Sequence, residues 1–333
     1  MADIRQILVN EDDNGQRLDR WIKRHAPDLP YVLVQKLLRK GQIRVDGKRA
    51  KPETRLETGQ EVRLPPRENP SRKEKKELSD ADIDYIRGLV IYEDEDVIAL
   101  NKPQGLAVQG GTKTERHIDG LLDGLMNKKG IRPRLVHRLD KDTSGVLLLA
   151  KSAQVAKTLG NFFKGRDVKK IYWALISPVP EIYEGTIKAP LLKAGGTNKE
   201  RMKIDPEEGK FALTDYQVLD VAGGEVAFVA FWPRTGRTHQ IRAHAEYMGS
   251  PILGDTKYAR REIVHEHENI YLDGLELSKN LHLHARRVIL PHPGRKGQML
   301  DLFAPLPPAL LVSWKKLGFE TNSKDDPFED MRA

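Results

Sequence analysis

The chain has 333 residues, with 56 Lys/Arg against 48 Asp/Glu for a net charge of +8, and it contains no cysteine. That length suggests two domains or one domain with an appendage, and the missing cysteines exclude a disulfide framework and any thiolate metal site, as suits a reducing compartment. The opening MADIRQILVNEDD is too charged for a signal peptide and the apolar run Gly145 to Ala150 is far short of a membrane span, so the sequence predicts a soluble cytoplasmic protein with no membrane partner.

The charge is unevenly placed. Residues 1–76 hold 19 Lys/Arg against 12 Asp/Glu, so almost the whole surplus lies in the first quarter, as in a polyanion-binding module joined to a more neutral body. QRLDRWIKRH, residues 16–25, sets Leu18, Trp21 and Ile22 on one helical face, and YVLVQKLLRKG does the same with Leu33, Val34, Leu37 and Leu38 before a capping Gly41. QIRVDGKRAK reads as a strand, an Asp46-Gly47 hairpin turn and a basic return, and EVRLPP as a last strand stopped by Pro65 and Pro66. This order, with GQRLD and LLRKGQIRVDGKR, resembles the alpha-L RNA-binding domain of the ribosomal protein S-four type, within a domain predicted to span residues 1–66. The resemblance implies that Arg39, Lys40, Arg44, Lys48, Arg49 and Lys51 follow a folded phosphate backbone by shape and charge.

PPRENPSRKEKKEL, residues 65–78, has almost no apolar residues and reads as a linker, predicted to reach residue 88. Strands are predicted within LVIYEDEDVIALNKPQG and at Val146–Ala150, Ile171–Ile176, Thr186–Ala189, Leu213–Leu219 and Val226–Trp232. Helices are predicted around Ile118–Met126, Ala153–Phe163 and His239–Met248. Regular βα alternation is missing, so the fold class is α+β with a mixed, mainly antiparallel sheet over residues 89–319. The polar tail ETNSKDDPFEDMRA, residues 320–333, is predicted to be disordered. No internal repeat is present.

Four segments carry more polar residues than a fold requires: NKPQGLAVQGG at 101–111, HRLDKDTSG at 137–145, KKIYWALI at 169–176 and TGRTHQIRAHAEYMG at 235–249. Turn and cap formation alone accounts for Asp140 and Asp142 if their segment is taken by itself. Together the four resemble the RluA family of pseudouridine synthases, and with the N-terminal domain the RluC branch, which modifies uridines of 23S ribosomal RNA. Four ordered motifs are far more specific than a lone one.

The resemblance implies the roles. Pseudouridine formation breaks the N1–C1′ glycosidic bond, turns the uracil and rejoins it through C5, with no redox step, energy input or cofactor. A carboxylate can bond transiently and then leave, and the family places it at the HRLD aspartate, here Asp140. Burial disfavours an ionised carboxylate and an opposing cation favours it, a role that falls to Arg242 in THQIR. Tyr172, in the family's K-x-Tyr-x-Ala motif, is expected to stack on the unstacked base. Arg138 would fill the gap left by the flipped uridine or hold its phosphate, and Lys102 in NKPQG would contact backbone or phosphate or, equally, serve a structural turn.

Other signals lead away from other chemistry. His265 with His267, and His282 with His284, lack a nearby third ligand for a metal; Ser144-Gly145 lacks a nucleophile elbow; no phosphate-binding P-loop is present. The alternatives are a synthase acting on other ribosomal or transfer RNA uridines, a non-catalytic RNA-binding assembly factor, and an N-glycosylase that releases uracil. The expected partner is large-subunit ribosomal RNA, and the expected state is a monomer.

Overall fold

The computed structural model describes residues 5–27, 29–66, 78–111, 116–165, 167–195, 201–259, 270–272 and 274–331. The chain divides into two compact units, residues 1–77 and 78–333.

In the first unit β1 (Arg5–Leu8) is followed by α1 (Leu18–His25), α2 (Tyr31–Arg39), β2 (Arg44–Val45), β3 (Lys48–Arg49) and β4 (Glu61–Leu64). The helical faces foreseen from the spacing close on a core of Leu18, Trp21, Ile22, Val34, Leu37 and Leu38 with Ile43, Leu56 and Val62 from the sheet side, whereas Leu33, assigned to the second face, is exposed. Asp46 and Gly47 take φ of 47° and 73°, the doubly left-handed turn that joins β2 to β3. β1 was not anticipated; it pairs antiparallel with β4. Buried Asp13 binds the first helix to this core, accepting from the Trp21 indole at 3.0 Å and from Arg24 at 3.0 Å.

The second unit opens with α3 (Asp80–Gly88), capped by Ser79, whose hydroxyl accepts from Asp82 N at 3.2 Å. The predicted linker is corrected here: residues 80–88 are a helix, with Ile86 buried. Residues 67–77 of that linker lie outside the described residues. There follow β5 (Val90–Glu93), β6 (Val97–Lys102), α4 (Ile118–Leu121), β7 (Arg134–Leu135), β8 (Ser144–Ala150), α5 (Ala153–Lys164) and β9 (Lys169–Ile176). Next come β10 (Glu184–Lys188), β11 (Leu191–Lys193), β12 (Met202–Ile204), β13 (Leu213–Ala222), β14 (Val226–Pro233) and α6 (Gln240–Tyr247). The chain finishes with β15 (Ile270–Leu272), β16 (Leu275–Leu277), β17 (Leu283–Pro291), β18 (Met299–Phe303) and α7 (Pro308–Lys316).

A ten-stranded sheet runs in the order β10-β13-β14-β9-β17-β8-β6-β5, with β18 on β17 and β7 on β8. Its described pairings are antiparallel except β17 with β8. Both faces are covered, which is why β14 reads VAFVAFWP without polar alternation and is buried throughout. Phe228, Ala230 and Trp232 face a core with Trp173, Leu310 and Trp314, while Ala227, Val229 and Phe231 face α6 through Ile241 and Ala245. Tyr172 sits on this second face, beside α6.

The parallel pairing needs Gly145. It takes φ of 113°, and a Cβ there would lie 2.2 Å from Ala285 O, so only glycine lets β8 close on β17 directly behind the HRLDKDTS loop.

The tail is corrected as well. Phe328 is 1% exposed and packs on Trp232, with ring centroids 5.7 Å apart, and Lys169 Nζ donates to Asp326 Oδ2 at 2.6 Å and Phe328 O at 2.8 Å. One buried aromatic and one ion pair thus order a segment whose composition is polar. Phe328→Ala is expected to cost about 3–5 kcal/mol, the usual loss for an emptied aromatic site. It should lower the denaturant midpoint at unchanged slope; an unmoved midpoint would mean that the tail does not hold the domain.

Candidate active site

One cavity of about 260 Å³ gathers the sequence-predicted residues Arg138, Asp140, Tyr172 and Arg242. Three stretches build it. The loop 137–143 precedes β8, Tyr172 and Lys170 come from β9, and residues 233–242 run from the end of β14 into α6.

The first loop is held from both ends. His137 Nε2 accepts from Leu148 N at 2.8 Å and its ring stacks on Phe163 at 4.3 Å. Burial, with the Lys170 charge adding, pushes its pKa down to about 3, so it serves as a neutral acceptor. Leu139 turns into the core, leaving Arg138 exposed and the Asp140 side chain 28% exposed. Thr143 N donates to Asp140 O at 3.2 Å, which curls the loop under the carboxylate. Among the described residues the carboxylate accepts no hydrogen bond, and its one ionic neighbour within 4.0 Å is His239, with Nε2 at 3.9 Å from Oδ2. A carboxylate so placed has its lone pairs free.

Arg242 does not pair with it directly, which corrects the sequence-based expectation. Its Nε and Nη2 donate to Asp255 Oδ2 and Oδ1 at 2.7 and 2.6 Å, both side chains being buried. A guanidinium buried this deeply needs a bidentate carboxylate, and Asp255 supplies it from the turn beyond α6. The Asp140 charge still acts on Arg242 through space, adding to the raised pKa that Asp255 brings about against the desolvation that lowers it. Tyr172 feels the same carboxylate. Burial first and the Asp140 charge second push its phenol up, so it is a neutral ring and hydroxyl at physiological pH.

Of the two readings of Lys102, the structural one holds and the phosphate contact does not. The lysine is fully buried, and Nζ donates to Pro103 O, Leu106 O and Lys141 O at 2.8, 2.9 and 3.0 Å. It cannot reach a phosphate. Instead it stitches the 101–106 loop to the residue after the nucleophile candidate, its three carbonyls matching the three donors of an ammonium. Desolvation lowers its pKa to about 7 against the opposing pull of Asp142 and Asp140. Gln104 joins the same seam, its amide donating to Asp142 O at 3.2 Å and to Leu281 O.

Sequence reasoning missed further lining residues. Lys170, the lysine of the K-x-Tyr-x-Ala motif itself, lines the cavity and makes no hydrogen bond or ion pair among the described residues. Gln240 fixes the approach to α6, accepting from Thr235 Oγ1 and Arg237 N at 2.7 and 3.0 Å while donating to Leu213 O and Thr214 Oγ1 at 2.9 Å each. Its place beside His239 in THQIR was a usable signal. His282 and His284 are buried and satisfied by Leu253 O and Ser313 Oγ, and by Ser144 Oγ and Ala304 O; His265 and His267 lie outside the described residues.

The same segments match known proteins. Residues 96–247 match the RNA pseudouridylate synthase family and residues 16–62 the S4 domain. Ribosomal large subunit pseudouridine synthase C of Salmonella typhimurium is 36% identical over 313 residues, covering 92% of this chain and 94% of that protein. The chain belongs to the RNA pseudouridylate synthase family. The protein of the same name from Rickettsia conorii is 38% identical to this synthase over 299 residues, 88% of this chain and 94% of that one. Among solved structures, human RNA pseudouridylate synthase domain containing 4 overlays with a TM-score of 0.60 at 30% identity, covering 73% of this chain and 99% of that one. The enzyme is an RNA pseudouridine synthase with an S4 domain, on a mixed and mainly antiparallel sheet.

The synthase places Lys102 beneath the cleft, so Lys102→Met should leave three carbonyls, one buried and two part-buried, without this donor and cost about 1–3 kcal/mol. Its melting temperature and single-turnover rate should fall, while the salt dependence of RNA binding stays as in the parent. A reduced salt slope with an unchanged melting temperature would return Lys102 to the phosphate-contacting role.

Proposed function

We propose that this enzyme converts uridines of large-subunit (23S) ribosomal RNA to pseudouridine with Asp140 as nucleophile. The observation that carries the chemistry is the unencumbered Asp140 carboxylate in one cavity with the ring of Tyr172. The substrate class rests on relatives named for the ribosomal large subunit whose similarity spans nearly the whole chain.

On this reading the target uridine leaves the stack and enters the cleft, where Tyr172 supports its face, and Arg138, exposed at the rim, occupies the gap or a phosphate. An Asp140 oxygen bonds to C1′ as the C1′–N1 bond breaks, its electron pair going to N1 of the uracil. The uracil turns and C5 takes C1′ back, releasing the carboxylate. The C5 proton is then lost and N1 gains one, so product and substrate are isomers. The Arg242 charge lies near the carboxylate without occupying its oxygens.

The first unit supplies affinity. Arg39, Lys40, Arg44, Lys48 and Arg49 are exposed around the end of α2 and the β2–β3 hairpin, with Arg44 also donating to Gly41 O and Gly47 O at 3.1 and 3.0 Å. The described cleft residues and this unit belong to one chain, which supports action as a monomer, and a ribosomal RNA substrate supports a cytoplasmic location.

Two experiments test this. Asp140→Asn keeps the side chain's shape but not its nucleophilicity, and it should bind RNA normally while slowing single-turnover tritium release from C5-labelled uridine RNA by at least about a thousandfold. Retention of more than about a tenth of the parent rate would remove Asp140 as the nucleophile. Replacing Arg39, Lys40, Lys48 and Arg49 together with Gln should flatten the dependence of RNA affinity on salt, by about one unit of slope for each phosphate that the protein no longer neutralises. The rate at saturating RNA should be unchanged; an unaltered slope would place RNA gripping elsewhere.

A further inference from the structure

His239 stands out on four counts. It is one of only two non-glycine residues with positive φ among those described, at φ 51° and ψ 25°, a conformation that costs a histidine about 1 kcal/mol. The other, Asp46, is in a hairpin turn, where that conformation is ordinary. Its ring is 10% exposed, lines the catalytic cavity and faces Asp140 with Nε2. Its other nitrogen, Nδ1, lies 3.0 Å from the hydroxyl of Tyr258, whose ring meets the imidazole edge-on at 5.7 Å.

The hydrogen bonds set the tautomer. Met202 N donates to the Tyr258 oxygen at 2.8 Å, so the phenol is already an acceptor. A buried hydroxyl must also place its own proton, and His239 Nδ1 is the one acceptor available to it among the described residues. Nδ1 is therefore unprotonated and Nε2 carries the ring proton. Tyr258 is in turn fixed by Asp255, whose Oδ1 accepts from Tyr258 N at 3.1 Å. The left-handed backbone and the Tyr258 clamp thus aim an N–H at the nucleophile.

We propose that His239 is a positioning residue for Asp140: Tyr258 locks it as the Nε2–H tautomer, and that N–H orients and steadies the attacking carboxylate. At 3.9 Å the two are short of hydrogen-bond contact, and filling of the cleft by the uridine brings them together. Desolvation lowers the pKa of the histidine, with the Arg242 and Lys257 charges adding, against Asp140 and Asp255, which favours this neutral form. Once the carboxylate is esterified it loses its charge and the bond weakens, so the contact favours the ionised state that attacks and later leaves. The inference rests on Asp140 being the nucleophile, which the Asn variant at that position tests separately.

Two variants separate aim from backbone. Asn tolerates the left-handed conformation well, and its amide reaches only as far as Nδ1, so His239→Asn keeps the turn and removes the donor. Gln fits the turn less well, but its amide nitrogen reaches the place of Nε2. Single-turnover rate is measured across pH at saturating stem-loop RNA for the full chain. The other groups facing Asp140 are unchanged in all variants: Arg138, Lys141 and Asp142 on its loop, Lys102 below, Lys170 and Tyr172 on β9, and Arg237, Arg242, Asp255 and Lys257. Loss of the donor disfavours the ionised carboxylate, so the acid limb of His239→Asn should move up by about half to one pH unit, making it about three- to tenfold slower below that limb. His239→Gln should keep the parental limb despite lower thermal stability, and Tyr258→Phe should fall between. A parental profile for Asn, or a displaced one for Gln with Asn normal, would overturn the proposal and leave His239 a purely structural residue.

Discussion

The buried pair of Arg242 and Asp255 is the constraint on which the cleft depends. Each side chain is nearly out of solvent, and neither charge could be left there alone without a penalty of several kcal/mol. Their bidentate geometry fixes two things at once. It anchors the first turn of α6, and it draws in the turn 255–258, where Asp255 Oδ1 also accepts from Lys257 N and Tyr258 N at 3.0 and 3.1 Å. Arg242 therefore lies near Asp140 as a fixed charge rather than as its hydrogen-bonding partner. A direct bidentate Arg–Asp140 bridge would have occupied both carboxylate oxygens. The pairing with Asp255 keeps the cation close and the oxygens free.

The sheet delivers the other half of the site. β8 and β9 flank β17, and Ala285 of β17 lies in register with Gly145 on one side and Tyr172 on the other. Residue 145 follows the Asp140 loop, so the close backbone approach at Gly145 helps set how far Asp140 stands from Tyr172. A side chain at 145 would push β8 off β17 and widen the cleft without touching any reacting group. Lys102 and Gln104 then clamp the loop from below. Precision at Asp140 thus comes from backbone carbonyls and a glycine, elements that carry no chemistry themselves.

What could be read in the sequence follows from the range of the forces involved. The helices of the first unit were legible because Leu18, Trp21, Ile22 and Leu37 repeat at helical spacing, and the Asp46-Gly47 turn because its chemistry is local. The strands at 171–176 and 226–232 showed as apolar runs. The strand 283–291 did not, since LHARRVILP carries His284, Arg286 and Arg287, which are tolerated there only because Ala304 O, Ser144 and Asp301 satisfy them from elsewhere. Helix 80–88 carried its signals, a Ser79 cap and Ile83 and Ile86 three apart, but they were masked by the charge run before it. The tail is ordered by Phe328 together with polar contacts from Lys169, Arg286 and Arg287, which composition cannot reveal. At the site, motif similarity brought Asp140, Tyr172, Arg138 and Arg242 to one cavity. It could not reveal that Lys102 points inward or that Arg242 is claimed by Asp255, because both facts depend on contacts made after the chain has folded.

The electrostatics of the cleft divide into two kinds of group. The histidines are held neutral: His137 by burial and Lys170, His239 by burial and the neighbouring cations. They act through directed lone pairs and N–H groups. Charge is left to Arg138, Arg237, Arg242 and Lys170 around the rim and wall, and of these Lys170 has its pKa lowered by desolvation. An incoming phosphodiester supplies the opposite charge and favours the protonated lysine. Charge in the cleft thus sits on the groups that meet incoming RNA, whereas His137 and His239 are shifted below the ordinary imidazole range toward the neutral form. Separating the two functions lets RNA enter a positive site without altering the charge of the residue that orients Asp140.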